Sequence, residues 1–136
     1  MVEWVIEGHL ARSSRPGFGG PGRRTRQAEV DTWLSTLCEW GIRSIVCILD
    51  HEQLNYSFDL PGGLIDYYRI AGFEVVHIPA EDFLWPPLSP EQLEQVWAAY
   101  QGLPKPVLIH CNAGISRTGA AVEFVQEKLR DGRRKP

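Results

Sequence analysis

A cysteine and an arginine bracket a run of compact residues in Cys111-Asn112-Ala113-Gly114-Ile115-Ser116-Arg117. Ahead of them, Pro106-Val107-Leu108-Ile109 is an apolar run that reads as a buried strand ending at His110. Behind them, Arg117 through Leu129 carries no proline and a single early glycine, so a helix is expected to begin at the far rim of the loop. Such a loop delivers backbone N–H groups to a helix N-terminus, where the aligned peptide dipoles favour an anion. A cysteine held there beside an arginine is favoured as a thiolate, which makes Cys111 the candidate nucleophile. Arg117 offers a planar fork of donors matched to two phosphate oxygens, a geometry that lysine lacks. The backbone N–H groups of Asn112, Ala113, Gly114, Ile115, Ser116 and Arg117 are the expected phosphate cradle. The Thr118 hydroxyl stands where it could donate to the sulfur. His110 is expected to orient the loop through hydrogen bonds rather than to carry protons, and Gly114 and Gly119 to permit positive φ or close backbone approach.

The order His-Cys-x-x-Gly-x-x-Arg-Thr-Gly over residues 110–119 resembles the loop of the cysteine-dependent protein tyrosine phosphatases. Along its whole length the chain is similar to their small dual-specificity branch. A bare Cys-x5-Arg also occurs in low-molecular-weight phosphatases, arsenate reductases and rhodanese-like enzymes. Here the loop lies late in the chain, after several strand and helix pairs, whereas the low-molecular-weight enzymes carry it near the N-terminus. The family usually continues beyond the helix after the loop, while this sequence ends in Asp131-Gly132-Arg133-Arg134-Lys135-Pro136.

The resemblance implies a phosphomonoesterase that works through a phosphocysteine intermediate with no metal or other cofactor. It also implies a carboxylic acid on the side of phosphorus opposite the sulfur, because an alkoxide or phenolate leaves slowly unless its oxygen is protonated. Asp82, in Ile78-Pro79-Ala80-Glu81-Asp82-Phe83, resembles the general acid of small dual-specificity phosphatases. One residue more separates Ile78-Pro79 from Asp82 than in the shortest such turns, so Glu81 stands as the alternative. With no segment to build a deep slot, the expected substrate is a protein or peptide carrying phosphotyrosine, with phosphoserine or phosphothreonine as further candidates. Relatives also act on RNA 5′-phosphates, glucan phosphate and inositol lipids. Lipid enzymes of this type often carry lysines where Asn112 and Ile115 stand here. Two further readings are a phosphate-binding module without catalysis, and sulfur transfer or arsenate reduction, which would not need Asp82.

At 136 residues and 43% hydrophobic content the chain is long enough for one domain spanning residues 1–136 with a real core. A net charge of −3 argues against a general nucleic-acid or membrane binder. Arg12, Arg15, Arg23, Arg24 and Arg26 form a local basic run, expected as a solvated face, with Arg12 or Arg23-Arg24 alternatively attracting a phosphorylated substrate. Cys38, Cys47 and Cys111 show neither metal-ligand spacing nor a disulfide framework, which suits a reducing compartment. With no signal-peptide pattern and no apolar run of bilayer length, the sequence reads as cytoplasmic, and it is taken as a monomer. Cys47, within Ile45-Val46-Cys47-Ile48-Leu49, reads as a small buried hydrophobe. The alternative is that Cys47 or Cys38 traps an oxidised Cys111 as a disulfide.

The elements that must position these groups alternate. Short strands are expected at Trp4-Val5-Ile6 and Leu10-Ala11-Arg12, then a mobile loop over Pro16–Gly22. A helix over Gln27–Trp40 stops at Gly41, and the apolar run Ile42–Leu49 reads as a central parallel strand with Asp50–Asn55 as its exit loop. A short helix over Leu64–Ala71 and a strand over Phe73–Ile78 lead into the acidic turn. Tyr67 and Tyr68 read as packing residues, one of which could border the entrance. Ser89, Pro90 and Gln92 punctuate the start of a further helix that ends near Gly102. This succession implies an α/β fold: a central, mainly parallel sheet of four to five strands with helices on both faces, and the phosphate-binding loop between the last strand and the following helix.

Overall fold

In the computed structural model, which describes residues 1–19 and 24–134, the alternating runs become twelve elements. They are β1 (Glu3–Ile6), β2 (Leu10–Ser13), β3 (Thr25–Arg26), α1 (Gln27–Glu39), β4 (Ser44–Cys47), α2 (His51–Ser57), β5 (Phe58–Asp59), α3 (Leu64–Ile70), β6 (Glu74–His77), α4 (Pro90–Gly102), β7 (Val107–His110) and α5 (Ser116–Arg134). The main sheet has the order β1-β2-β7-β4-β6, with only β1 antiparallel to its neighbour. A two-residue parallel pairing of β3 with β5 lies apart from it.

Strands β4 and β7 are buried at every residue, as continuous apolar runs covered by helices on both faces must be. Their alternation divides the core in two. Ile45, Cys47, Leu49 and Leu108 face α1 and α3, where they meet Val30, Leu34, Leu37, Leu64 and Tyr68. Val46, Ile48, Val107 and Ile109 face α4 and α5, where they meet Val96, Tyr100, Ala121, Val122 and Val125. Each fully buried branched aliphatic side chain contributes about 1.5–3 kcal/mol, so these two layers, rather than any single polar contact, fix the sheet.

Local chemistry sets the helix starts. At α4, Ser89 Oγ accepts from the Gln92 amide at 3.1 Å while Gln92 Oε1 accepts from the Ser89 amide at 2.8 Å, and Pro90 takes the first turn. The segment Asp50–Asn55, expected as an exit loop, departs from expectation. It is the beginning of α2, because Asp50 Oδ1 accepts from the Gln53 amide at 2.7 Å and Gln53 Oε1 accepts from the Asp50 amide at 3.3 Å. This reciprocal pair offsets the apolar content that such a short helix lacks. Of the expected loop Pro16–Gly22, residues 20–22 lie outside the described residues, as does Arg23 of the basic run.

Because β4, β6 and β7 are parallel, their C-terminal ends share one edge of the sheet, the usual place for a ligand in an open α/β fold. From that edge emerge α2 with Gln53, the turn that bears Glu81 and Asp82, and the loop from Cys111 to Arg117.

Candidate active site

The loop after β7 is shaped by groups that draw its carbonyls away from its interior. His110 Nδ1 lies 3.0 Å from the Cys111 carbonyl, the Arg15 amide donates to the Asn112 carbonyl at 3.0 Å, and Arg12 Nη2 donates to the Gly114 carbonyl at 2.8 Å. Arg15 Nε also donates to Asn112 Oδ1 at 2.6 Å, and its guanidinium sits 5.2 Å from the centre of the Phe58 ring. Gly114 has φ +78°, and a Cβ there would lie 2.6 Å from the Ser14 nitrogen and 2.7 Å from the Ser13 oxygen. Glycine is therefore required at this position. Gly119, by contrast, sits in α5 with only Arg12 Nη2 at 3.7 Å from its virtual Cβ, so neither positive φ nor close backbone approach explains it.

With these carbonyls engaged elsewhere, no hydrogen bond among the described residues uses the N–H groups from Asn112 to Arg117. They stand at the N-terminus of α5, which starts at Ser116. Cys111 is 2% exposed and closes the base of the loop. The Thr118 hydroxyl is buried and makes no hydrogen bond, so the expected donation to the Cys111 sulfur is not formed.

His110 is fully buried over an aromatic floor, edge-on to Trp33 and Tyr68. Burial, with the positive charge of Arg117 and Arg15 nearby, pushes its pKa down to about 4. Tyr68, also buried, is pushed well above its ordinary value and keeps its proton. The tautomer follows from the partners: the Tyr68 hydroxyl donates to Nε2 at 2.9 Å, and Nδ1–H donates to the Cys111 carbonyl. A neutral imidazole with both nitrogens engaged is a strut. Neither Tyr68 nor Tyr67, which is hydrogen-bonded to Asp31, lines the cleft beside Cys111.

Arg117 is 1% exposed. Its Nη1 donates to the Ile48 carbonyl at 3.0 Å, the Ala80 carbonyl at 2.7 Å and Gln53 Oε1 at 3.0 Å, which pins the guanidinium to the ends of β4 and the acidic turn. Its other edge is different. Nε has no partner, and Nη2 lies 2.9 Å from Asp82 Oδ2 without hydrogen-bond alignment. A buried donor left unmade costs about 1–3 kcal/mol, so an edge of two such groups favours an incoming oxyanion with two oxygens to offer.

Asp82 accepts from Gln53 Nε2 at 3.0 Å through Oδ2 and from the Phe83 amide at 3.0 Å through Oδ1. Phe83 takes φ +62°, uncommon for a residue with a side chain, and this turn holds Asp82 inward while Phe83 projects to solvent. Glu81 is exposed and makes no ion pair or side-chain hydrogen bond among the described residues. The two turns wall a cleft of about 280 Å³, lined by Cys111–Ala113 and Ile115–Arg117 from one turn and Glu81–Leu84 from the other, together with Phe18 and Pro87. A larger open groove of about 1070 Å³ adjoins it across Glu81–Leu84, but Cys111 does not line that groove.

The geometry corrects several expectations. Arg12 and Arg15 are not a solvated face or a lure for substrate; they brace the loop, and Arg12 also lies 3.7 Å from Glu3. Arg24 donates to the Phe58 carbonyl. Cys47 belongs to the core on the α1 and α3 face, whereas Cys111 belongs to the opposite core, and burial raises the Cys47 thiol to about 12. Cys38 is exposed near Ile42 and Phe73, at the other end of the sheet. All three thiols are free. Gln53 was missed as a site residue; the spacing Asp50-x-x-Gln53 directly after an apolar strand was the available signal. Among the described residues no three His, Cys, Asp or Glu side chains converge as metal ligands, and no helix is long and apolar enough to cross a membrane.

Residues 18–126 match the family described as Tc-R-P, "Polymorphic toxin system, DSP-PTPase phosphatase". The fold is similar to the core catalytic domain of the PP-IP phosphatase SIW14 from S. cerevisiae in complex with citrate, with a TM-score of 0.64 at 18% identity. That likeness covers 95% of this chain and 66% of the SIW14 chain, just under two-thirds of its length. Tk-PTP in its active form gives a TM-score of 0.61 at 24% identity over 98% of this chain and 83% of that one. A putative phosphatase (DUF442) from Shewanella putrefaciens CN-32 gives 0.59 at 18% identity over 99% and 74%. At these identities the likeness establishes a shared fold. No curated protein matches the sequence significantly.

Proposed function

Since the chain belongs to the Tc-R-P family of DSP-PTPase phosphatases and is a phosphatase, we propose that it removes phosphate from phosphotyrosine, and from phosphoserine or phosphothreonine, through a phosphocysteine intermediate. The observation that carries this reading is the buried edge of Arg117, whose Nε and Nη2 make no hydrogen bond, in the cleft that Cys111 lines. The Cys111 sulfur attacks phosphorus as the bond to the leaving oxygen breaks, and Asp82 delivers a proton to that oxygen. Arg117 and the N–H groups of residues 112–117 hold the three equatorial oxygens, where charge spreads in the transition state. A water then attacks phosphorus, Asp82 takes its proton, and the sulfur leaves.

The make-up of the cleft supports a singly phosphorylated residue as substrate. Arg117 is its one cation among the described residues, and Phe18, Phe83, Leu84 and Ile115 give it an apolar rim. Additional phosphates would meet Glu81 and Asp82, where like charges repel. The PP-IP phosphatase SIW14 favours a second reading, a phosphate ester that is not a protein. The family description further supports reading this phosphatase as an effector of a polymorphic toxin system.

Turnover of phosphopeptides, inositol phosphates, glucan phosphate and nucleotides, each with a metal chelator present, separates these readings. Phosphopeptides are expected to be turned over fastest; a strong preference for polyphosphorylated inositols would establish the second reading. Cys111→Ser should abolish turnover while retaining inhibition-competent binding of inorganic phosphate in a direct titration, and Arg117→Lys should lose both. Appreciable turnover by Cys111→Ser, or strict dependence on a divalent metal, would overturn the phosphocysteine route.

A further inference from the structure

We infer that Gln53 is a positioning residue that holds the proton donor Asp82 at the phosphate-binding Arg117, an inference that rests on the reading of Asp82 as the acid. Its amide can take only one orientation. Oε1 faces two donors, Arg117 Nη1 at 3.0 Å and the Asp50 amide at 3.3 Å, so Nε2 faces Asp82 Oδ2 at 3.0 Å. A flipped amide would set its hydrogens against the guanidinium and its oxygen against the carboxylate, both repulsive. Gln53 therefore donates to Asp82, and its own orientation is fixed by Arg117.

The capping pair makes this fork rigid. The Asp50 side chain grips the Gln53 main chain at 2.7 Å, so Gln53 is set by the first turn of α2 and not by a wandering loop. Asp82 lies instead on an irregular turn with 97% exposed Phe83 and 90% exposed Trp85 beyond it, and little packing holds that turn in place. Two contacts fix the Oδ2 side of the carboxylate: the Gln53 amide and the Arg117 guanidinium. Once Arg117 Nη2 engages a phosphoryl oxygen, Gln53 remains to hold Asp82 beside the leaving group.

Gln53→Met tests this cleanly. Arg117 Nη1 keeps the Ile48 and Ala80 carbonyls for its two hydrogens, and the Asp50 cap keeps its main-chain donor. Turnover of unactivated alkyl phosphates should fall roughly 10- to 100-fold, because a misplaced proton donor loses much of its effect, while activated aryl phosphates should change less than about threefold. Competitive inhibition by inorganic phosphate should stay within about threefold of the parent, since the outward edge of Arg117 is untouched. Gln53→Glu, which keeps an oxygen toward Arg117 and Asp50 but sets a like charge against Asp82, should show the same selective loss.

Equal loss for every leaving group in both variants would reduce Gln53 to a structural role and overturn the inference. Unchanged turnover of the alkyl esters would do the same, as would a leaving-group dependence absent from Asp82→Asn. Failure of the underlying phosphatase reading looks different, since it would appear as turnover by Cys111→Ser.

Discussion

Asp82 and Glu81 are neighbours in sequence with opposite fates. Asp82 is tied to Gln53, the Phe83 amide and Arg117, whereas Glu81 is exposed. Asp82→Asn should lower turnover of esters with poor leaving groups by roughly 10²–10⁴-fold, the usual value of a positioned acid, with activated aryl phosphates suffering less. The deficit should grow with the pKa of the leaving alcohol in a series of phosphate monoesters. Glu81→Gln should leave that slope alone. If Glu81→Gln carries the dependence instead, the acid is displaced by one residue. At this scale the sequence already singled out Cys111 and Arg117 by type and spacing, and Asp82, with Glu81 as the alternative, through the resemblance of its turn to that of small dual-specificity phosphatases. The spacing Asp50-x-x-Gln53 could mark a helix start, but it could not reveal that the Gln53 side chain reaches Arg117 and Asp82, because those contacts are made across the fold.

The loop after β7 depends on the end of β2 as much as on its own residues. Gly114 packs its Cα face on the Ser13–Ser14 backbone while Arg12 and Arg15 hold the Gly114 and Asn112 carbonyls. Gly114→Ala combines a left-handed backbone, worth about 1–2 kcal/mol for a residue with a Cβ, with a backbone clash that only a shift of the loop or of β2 can relieve. Turnover should drop roughly 100-fold or more as the phosphate donors are displaced by a fraction of a bond length. Inorganic phosphate should bind correspondingly less well in a direct titration. Parent-like kinetics in Gly114→Ala would show that the loop does not need this close approach. Within the basic run Arg24 and Arg26 are exposed as expected, whereas Arg12 and Arg15 were misjudged from sequence because the β2–β7 pairing that puts them against the loop is made by residues about 100 positions away.

For the whole molecule, the buried imidazole of His110 links stability to pH. Its pKa falls from 6.5 to about 4 on folding, chiefly through burial. A depressed folded value means that the unfolded chain binds the proton first. Stability from this site is therefore complete above about pH 6.5 and is lost as the pH falls toward 4. The two values correspond to about 3 kcal/mol across that window. Denaturant unfolding at pH 7 and pH 4.5 should show the parent losing stability relative to His110→Phe as acid is added, although the variant starts weaker for want of the Tyr68 and Cys111 contacts. A difference between the two proteins that does not change with pH would show that His110 does not titrate in this range.

The ordered string His110 to Gly119, the apolar run before it and the helix pattern after it were enough to determine the loop, the candidate nucleophile and the α/β class, because those follow from residue type, short spacing and local periodicity. The Ser89–Gln92 capping box was equally local and is formed as expected. Tertiary structure decided what depends on strand order. It put β7 between β2 and β4, which brings Arg12 and Arg15 to the loop from one side and Gln53 and Ala80 to Arg117 from the other. It also placed Cys47 in the core under α1 and α3 and Cys111 in the core under α4 and α5. The pleat turns successive side chains to opposite faces, and only the pairing of strands distant in sequence determines which face meets the site.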